Sequence, residues 1–528
     1  MFEIAILIGV YSYFIFFLGI AGLLFKDVVL FSSLIYITAI VFFCRSKIKT
    51  VTVFKDKTSL FLSLLILVQI LINFIGVLGP EISFDALWYH LTLPKLYIIG
   101  HGIFHIPGNL LFYSDMPKLT EMLFVPSLMF GNETIAKFIH FTFGILILIA
   151  AYKISKKFLS TKMSLFVLVI FYSNLVVGWE TISAYIDLTR TFFEVMTFWG
   201  FLNWIDKKQN KWLVISGIMM GLTISAKVLA LESMLIFFML FAYVIFTEKQ
   251  RLRDFIKNFS VFALITVLVP FPWFTFSYLN TGNIFYPFFD KRIDIGTSFI
   301  IPNLGNFLKD LTNLLIYSND PISPIYLIAL PLIIIFFKKT KKEFKIIYIY
   351  SFLGLLLWYL TPKIGGGRFI LPYLPVFSVL AVYSINTLNN VKLRKFLLLI
   401  IILTSFTSIG YRALANKKYV PVVFGKETKT GFLTKNLNFS FGDFYDTDNY
   451  FKNNIKFKDK ILLYGFHNLY YIDFPFIDSS WVKKGDKFNY IAVQNSVLPE
   501  KFNNWKKIYY NPITKVTVYS LGGKQWVY

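Results

Sequence analysis

The sequence contains little charge and almost no cysteine. Its one cysteine among 528 residues, Cys44, excludes an intrachain disulfide and any metal site made of several cysteines. Charged residues make up 16% of the chain, whereas soluble proteins carry about 25%. The segment 414–528 contains neither G-x-G-x-x-G nor G-x-x-x-x-G-K-[ST], and no ATP motif occurs elsewhere. These absences exclude an ordinary soluble protein and give no support to a nucleotide-driven reaction.

Apolar residues take the place of charge. Hydrophobic residues make up 56% of the chain, and the mean hydropathy is +0.63. Apolar runs of bilayer length, about 17–25 residues, recur with short polar breaks, and the first lacks the features of a cleaved signal peptide. The sequence therefore predicts a polytopic membrane protein. We predict thirteen spans, at 3–25, 27–44, 58–79, 132–152, 163–179, 187–205, 212–226, 228–247, 258–278, 322–337, 346–361, 368–387 and 396–412.

The basic residues predict the topology. The chain has a formal net charge of +24, and cytoplasmic loops of membrane proteins carry an excess of Lys and Arg. The loops on one side of the predicted membrane hold 24 Lys and Arg, and the opposite loops and their edges hold ten. We therefore expect a cytoplasmic amino terminus and an extracytoplasmic segment after the last span. The positive charge is thus a topology signal, and we expect no nucleic-acid partner.

Three outward segments are too long to be simple connections: 80–131, 279–321 and 414–528. The last contains strand-like runs at 460–464, 490–494 and 516–520. We therefore predict two domains, a transmembrane domain over 1–413 and a small extracytoplasmic α/β domain over 414–528. The expected fold class is an all-α polytopic membrane protein with interfacial helices in the first long outward loop.

The first outward loop holds the most informative residues. Asp85 follows a span that ends at Gly79-Pro80, so it is expected near the outer membrane surface. A helical apolar period continues beyond it and predicts a helix in the plane of the interface, which carries His90 and Lys95. A carboxylate beside an apolar wall suits a general base, and the alternative is a helix cap or interfacial acid. Asp115, followed by Pro117, favours a helix cap.

Ionisable residues also lie at the outer ends of later spans. Asp187, Arg190 and Glu194 share one helical face, and Arg190 and Glu194 are spaced to form an ion pair. Charged groups in a span usually face a cavity or a partner, and mutual neutralisation is the plain alternative. Lys227, at the break between two short spans, either joins this site or extends towards the interface.

A glycine-rich segment predicts an anion site. Lys363, three glycines and Arg368 precede a predicted span at its outer end. A helix amino terminus has free N–H groups, and Arg adds a planar fork, so the segment suits a lipid phosphate. A headgroup-anchoring arginine is the alternative. The run around Tyr286 in the second long loop is a weaker signal, because interfacial aromatic residues are common.

These motifs, in this order, resemble those of the polytopic C-type (GT-C) glycosyltransferases. That superfamily includes the protein O-mannosyltransferases and the lipid A aminoarabinose transferase. Glu81 and Asp85 are separated here, whereas many relatives have adjacent acids, and two spans precede the one that looks like the first of the family. The resemblance covers about 58–412 and rests on Asp85, Trp88-Tyr89-His90, Pro94-Lys95, 116–123, 184–188, 225–227, 283–287 and 368–375.

The resemblance implies a hexosyl or pentosyl transferase of the cytoplasmic membrane. It implies a polyprenyl-phosphate sugar as donor and a lipid, glycan or protein as acceptor. Since the leaving phosphate is already a stable anion, the acceptor hydroxyl needs the base, and we expect Asp85 to act in a single inverting displacement. Arg368, Lys363 and Lys227 are the expected phosphate ligands. We expect substrate contacts from Tyr89, His90, Lys95, Asp115, Glu121, Tyr185, Asp187 and Tyr286.

No obligatory cofactor is predicted, although Asp85 and a lipid phosphate are ligands that suit Mg²⁺ or Mn²⁺. A flippase or transporter for a lipid-linked sugar is one alternative function, but it needs polar residues at midplane depth. The ionisable residues of the predicted spans cluster at their outer ends, and Glu194 and Glu232 are the chief exceptions. A polymerase or ligase for lipid-linked glycans is the other alternative, and the sequence separates it poorly from a single-sugar transferase.

Overall fold

The computed structural model describes residues 1–45, 56–249, 251–288, 290, 303–318, 320–340, 342–361, 366–522 and 524–528. Most of these residues are helical. The helices are α1 Phe2–Ile20, α2 Lys26–Arg45, α3 Lys57–Leu78, α4 Thr92–Ile99, α5 Leu119–Phe130, α6 Glu133–Ser155, α7 Thr161–Tyr172, α8 Leu175–Glu180, α9 Asp187–Lys207, α10 Asn210–Ala226, α11 Ser233–Glu248, α12 Leu252–Leu268, α13 Phe271–Thr281, α14 Leu304–Thr312, α15 Ile325–Phe336, α16 Lys342–Leu360, α17 Gly367–Ile370, α18 Leu374–Asn386, α19 Val391–Asn416, α20 Val420–Val423, α21 Lys429–Asn436 and α22 Tyr450–Asn454.

The multi-pass architecture is confirmed, but the count of thirteen spans is not. In the described ranges, six helical stretches are long and apolar enough to cross a bilayer, and the bent pair α12–α13 makes a seventh. Several other predicted spans coincide with shorter apolar helices, among them α7 and α15. The helix α9, by contrast, carries Asp187, Arg190 and Glu194 on a surface that protein covers instead of lipid.

The helix α9 is the central element of the membrane domain. It packs against α10 on one side and α6 on another, and almost every residue from Asp187 to Trp204 is buried. A helix that is enclosed all round has no lipid-facing side. Its ionisable side chains therefore need partners from neighbouring helices, and Asp187 stands at its first turn.

The segment 80–131, predicted to face outward, is folded back onto the helices. A π-helical turn over Ala86–His90 leads into α4, and a 3₁₀ turn over Phe112–Asp115 precedes α5. The apolar side chains of Leu87, Leu91 and Tyr97 are buried within the protein. The helical period was thus interpreted correctly as helix, but the apolar face packs on protein instead of facing lipid at the interface.

The terminal domain contains two sheets, and all three predicted strands are found. The strands are β1 Ile461–Tyr464, β2 Phe476–Asp478, β3 Lys487–Phe488, β4 Tyr490–Gln494, β5 Lys506–Tyr510, β6 Val516–Ser520 and β7 Trp526–Val527. Five of them form a sheet in the order β2-β1-β4-β6-β5, in which β1 runs parallel to β2 and β4 and the other pairs are antiparallel. The strands β3 and β7 pair separately.

Specific hydrogen bonds hold the terminal domain against the segment 80–131. The Lys95 ammonium donates to the backbone oxygens of Tyr470 at 2.7 Å and Ile472 at 2.8 Å. The Tyr471 hydroxyl donates to the backbone oxygen of Glu81 at 2.8 Å, and the Tyr470 N–H donates to that of Leu87 at 3.2 Å. The segment around Asp85 therefore lies between the helices and the terminal domain.

Candidate active site

The guanidinium of Arg368 lies among three carboxylates. Its Nη1 is 2.9 Å from Asp85 Oδ2, its Nε is 3.3 Å from Glu180 Oε1, and its Nη2 is 3.3 Å from Asp187 Oδ2. The Arg368 and Asp85 side chains are 16% and 17% exposed, whereas those of Glu180 and Asp187 are 0% and 2% exposed. Since the four residues come from the first loop, α8, α9 and α17, the fold brings distant parts of the chain to one partly open point.

A second cation, Lys227, completes the cluster. Its ammonium donates to Asp187 Oδ1 at 2.7 Å. Lys227 has extended backbone angles between α10 and a 3₁₀ turn, so it leaves the helix direction just where its side chain reaches Asp187. Burial, with the nearby charge of Asp187, raises the pKa of the Glu180 carboxyl well above its usual range. Three carboxyl groups and two cations therefore meet at this point.

Aromatic rings fix the orientation of both Asp85 and Arg368. The Asp85 N–H donates to the Tyr185 hydroxyl at 3.0 Å. The guanidinium carbon of Arg368 lies 4.6 Å from the centre of the Tyr185 ring and 5.8 Å from that of Trp179, within the range of cation–π attraction. Tyr185, expected as a substrate contact, thus connects the acid to the arginine.

The glycine-rich segment positions Arg368 through its backbone. The Arg368 N–H donates to Asp320 Oδ2 at 3.0 Å, so this helix start does not offer the free N–H that the sequence predicted at Arg368. Gly366 has a φ of +54°, and a Cβ there would collide with Asp320, which explains a glycine at this position. Lys363 lies outside the described residues.

Three further predicted residues, His90, Glu121 and Tyr89, lie behind the cluster. His90 Nδ1 is 2.7 Å from Glu121 Oε1, and both side chains are buried. The His90 ring is 5.6 Å from the ring of Tyr185. Tyr89 stacks on Tyr113 with ring centres 3.7 Å apart. These contacts make a rigid wall beside Asp85.

Three predicted residues lie apart from the cluster. Lys95 binds the terminal domain and Asp473. Asp115 accepts hydrogen bonds from His105 at 2.8 Å and Ser114 at 2.9 Å, and it does not cap α5, which begins at Leu119. Tyr286 is buried at the end of the segment that follows α13.

A second, deeper ion pair also differs from the predicted one. Arg190 Nη2 is 2.8 Å from Glu232 Oε1, so Arg190 bridges to the turn before α11 instead of pairing within α9. Glu194 accepts a hydrogen bond from the Tyr350 hydroxyl at 3.1 Å. The expected neutralisation within α9 is replaced by contacts between helices.

The sequence interpretation missed Glu180, Asp320 and His467. Glu180 follows Trp179 but has no charged neighbour in sequence, so the signal that identified Asp187 is lacking there. His467, in the terminal domain, lies between two rings of the Asp85 loop, 4.7 Å from that of Phe84 and 4.4 Å from that of Trp88. Only the fold shows this contact. Among the described residues, no group of three His, Cys, Asp or Glu side chains forms a metal site.

The arrangement has the fold of the GT-C glycosyltransferases, and the resemblance to that superfamily is confirmed. Residues 122–274, which include Glu180, Asp187 and Lys227, match the family of dolichyl-phosphate-mannose-protein mannosyltransferases. No curated protein sequence matches significantly.

Two solved structures are similar in fold to most of this chain. ArnT from Cupriavidus metallidurans bound to undecaprenyl phosphate is 12% identical, with a TM-score of 0.58 over 87% of this chain and 98% of that one. Its apo form is 10% identical, with a TM-score of 0.57 over 88% and 98%. The oligosaccharyltransferase AglB from Archaeoglobus fulgidus, in complex with an inhibitory peptide and a dolichol-phosphate, is 13% identical, with a TM-score of 0.47 over 82% of this chain and 69% of that one.

Proposed function

We propose that the protein is a membrane glycosyltransferase that moves one sugar from a polyprenyl-phosphate donor to an acceptor hydroxyl. One observation carries the proposal: a partly exposed arginine, Arg368, contacts Asp85 and Asp187 directly beside Lys227. This places a candidate base and two candidate phosphate ligands within one cluster. The undecaprenyl phosphate bound to the ArnT structure supports a donor lipid of this type.

Asp85 is the proposed general base. The acceptor oxygen is a weak nucleophile until its proton is removed, and a positioned carboxylate accelerates such a step by about 10²–10⁴-fold. As the oxygen attacks the anomeric carbon, Asp85 takes the proton and the sugar–phosphate bond breaks. A single displacement inverts the anomeric configuration, and the bond that breaks supplies the energy.

Arg368 and Lys227 are the proposed phosphate ligands. A guanidinium fork and an ammonium stabilise the charge that develops on the leaving phosphate. Arg368 contacts Asp85 and Asp187, and Lys227 contacts Asp187. Binding of the phosphate to Arg368 displaces Asp85 from Nη1, which frees this carboxylate to accept the proton. The donor thus activates the base, and acceptor activation waits for a loaded site.

The deeper polar network favours transfer over transport. Glu232, one of the two acids that depart from the outer ends, accepts from Arg190 at 2.8 Å and from Thr361 at 2.7 Å. These contacts fix the residue between α9, α16 and the turn before α11. A transporter needs polar groups near the midplane that are available to bind its substrate. The groups around Glu232 are bonded to one another, so we interpret this network as structural. A glycan polymerase or ligase remains the alternative enzyme.

We place the site at the outer face of the cytoplasmic membrane. The basic residues concentrate in the loops on the opposite side, which favours a cytoplasmic amino terminus and an extracytoplasmic terminal domain. A protease-cleavable tag placed after Tyr528 is therefore expected to be cut by protease added outside intact cells. Cleavage only after lysis would contradict this orientation.

The decisive experiment compares Asp85→Asn with the wild-type protein. Polyprenyl-phosphate lipids and surface glycans from cells that make either protein are measured by mass spectrometry. We expect a monophosphate-linked sugar to accumulate in the variant and one sugar to disappear from a surface acceptor, with transfer below a tenth of wild type. Asp206→Asn, which removes an exposed acid paired with Lys157, is the matched control and is expected to behave as wild type.

Other outcomes separate the alternatives. Transfer by Asp85→Asn above about a tenth of the wild-type rate would exclude Asp85 as the base. Accumulation of long diphosphate-linked oligosaccharides would favour a polymerase, ligase or flippase. Thermal unfolding of the purified variants shows that a lost activity reflects chemistry and not misfolding.

A further inference from the structure

A second pocket lies within the terminal domain, away from Arg368. Its volume is ≈ 460 Å³, within the range of small-ligand pockets, about 300–1,000 Å³. It lies between the segments 444–457 and 471–475. Six aromatic side chains line it, from Phe444, Tyr445, Phe451, Phe457, Tyr471 and Phe474.

The mouth and the wall of this pocket carry groups without a structural partner. Phe457 is 95% exposed at the rim, so its ring contributes little to the core. In the wall, one oxygen of Asp446, Oδ2, accepts from the Lys452 N–H at 2.9 Å and so stabilises the start of α22. The other, Oδ1, is buried and has no hydrogen-bond partner among the described residues. A carboxylate oxygen only accepts hydrogen bonds, so this wall suits a ligand that carries donor groups.

The pocket continues towards the membrane domain. A smaller cavity of ≈ 240 Å³ shares Tyr471 and Asp473 with it, and Lys95, Glu133 and Lys429 line its other side. Tyr471 also donates to the backbone oxygen of Glu81, four residues before Asp85. The two cavities are therefore neighbours on either side of shared lining residues, and together they are called the trough below.

The charges along the trough define the ligand class. Three cations, Lys95, Lys429 and Lys452, are matched by three acids, Glu133, Asp446 and Asp473. A site for a phosphate or another polyanion would carry an excess of cations. Aromatic faces, carboxylate acceptors and balanced charge suit a neutral molecule with apolar ring faces and many hydroxyl donors, which is the chemistry of an oligosaccharide.

We propose that this trough binds a neutral oligosaccharide and holds it as the acceptor chain. The role of this oligosaccharide as an acceptor rests on the proposed transferase function, whereas its binding to the trough does not. Rings of Phe457 and Phe474 stack against sugar faces, and Asp446 Oδ1 accepts a sugar hydroxyl. The growing or modified end extends past Tyr471 towards Asp85.

The test measures binding to the full chain in lipid nanodiscs. A panel of neutral hexasaccharides, including maltohexaose, cellohexaose and mannohexaose, is titrated and followed by saturation-transfer NMR and calorimetry. We expect at least one to bind, and we expect Phe457→Ala and Asp446→Asn each to weaken that binding at least fivefold. Phe424→Ala, which removes an exposed phenylalanine outside both cavities, is expected to leave the affinity unchanged.

Three results would overturn the proposal. They are binding of no hexasaccharide in the panel, equal affinity in both pocket variants and the wild type, and binding of a Ser/Thr-rich peptide that the same substitutions weaken. Phe457 is exposed, so its replacement does not disturb the core, and Tm measurements check this for both variants.

Failure of the proposal and failure of the transferase function give different results. If the trough binds hexasaccharide but the protein consumes no polyprenyl-phosphate sugar, the binding site stands and the proposed activity falls. If donor is consumed while Phe457→Ala and Asp446→Asn retain wild-type KM for a long glycan acceptor, the activity stands and the trough is not its acceptor site.

Discussion

Two clusters of acids and cations follow one another along α9, and their surroundings differ. The outer cluster, at the first turn, joins Asp187 to Arg368 and Lys227, with Asp85 and Glu180 around the same guanidinium. The deeper cluster joins Arg190 to Glu232, with Glu194 nearby. Each has one more carboxylate than cations. The two clusters differ in the other groups that contact their carboxylates.

Hydroxyl groups surround the deeper acids. Tyr373 and Thr361 donate to Glu232, and Tyr350 donates to Glu194. In the outer cluster, the acids meet cations and ring faces instead, and the guanidinium and Asp85 are partly exposed. A carboxylate bound by several fixed hydroxyls is part of the scaffold, whereas one held by a partly exposed arginine can be exchanged for a phosphate. The comparison therefore predicts that substitutions in the outer cluster mainly reduce activity, and those in the deeper cluster mainly reduce stability.

The largest effect is expected from Arg368→Ala. Loss of a preorganised group that stabilises developing charge reduces catalysis by about 10²–10³-fold, so kcat/KM for the donor should fall on the order of 10²-fold. Arg368→Lys keeps the charge without the planar fork, so its kcat/KM for the donor should lie between those of the wild type and Arg368→Ala. The measurement is donor consumption by the purified protein at saturating acceptor.

The acceptor KM and the Tm of the Arg368 variants serve as controls. We expect the acceptor KM to change less than the donor KM, because the guanidinium contacts the leaving group. An unchanged donor KM and kcat would remove Arg368 from the site and would erase the distinction between the clusters.

A smaller effect, on stability, is expected from Arg190→Leu. Removal of one member of a buried ion pair costs about 3–5 kcal/mol. Since the Glu232 side chain is 16% exposed, we expect about 2 kcal/mol, seen as a lower Tm in detergent. Donor KM of the folded fraction should stay within twofold of wild type.

A double variant sharpens this result. Arg190→Leu combined with Glu232→Gln removes the uncompensated charge, so part of the lost stability should return. If Arg190→Leu instead unfolds like wild type but fails to use the donor, the deeper cluster belongs to the active site and the comparison is wrong.

The sequence predicted the helices and the outer cluster better than the contacts between them. Charge at the outer end of apolar runs identified Asp85, Asp187, Lys227 and Arg368, because ionisable groups are expensive in lipid. Strands at 490–494 and 516–520 followed from local β-branched patterns. Both signals lie within a few neighbouring residues.

Contacts over long sequence separation could not be predicted in this way. Glu180 lacks a charged neighbour in sequence, and its role appears only when α8 is placed beside Arg368. Arg190 has an acid four residues away, yet it bridges to Glu232, 42 positions along the chain. Pairing rules within one helix apply to solvent-exposed faces, whereas Arg190 and Glu194 lie in the buried part of α9, so tertiary partners prevailed.

The smallest effect concerns His467, where the terminal domain meets the outer cluster. Its Nδ1 donates to Asn468 Oδ1 at 2.9 Å. Burial lowers the pKa of this imidazole below its usual value, against the weaker opposite influence of Asn468, Asp443 and Asp85. The undocked chain therefore takes up the proton at higher pH than the docked domain does. Docking is at full strength above about pH 6.5 and weakens as the pH falls below it.

The amide of Tyr470 reports this docking directly, because its N–H donates to the backbone oxygen of Leu87 across the boundary. We expect its hydrogen exchange, corrected for intrinsic rates, to be roughly two- to fivefold faster at pH 5.5 than at pH 7.5. His467→Phe keeps a ring between Phe84 and Trp88 without a titrating group, and it retains Asp443, whose own pKa is raised by burial. The acid-dependent increase should therefore disappear in this variant. If the acid-dependent increase in exchange persists unchanged in His467→Phe, another titrating group controls docking. His467 would then not distinguish the surroundings of the outer cluster from those of the deeper one.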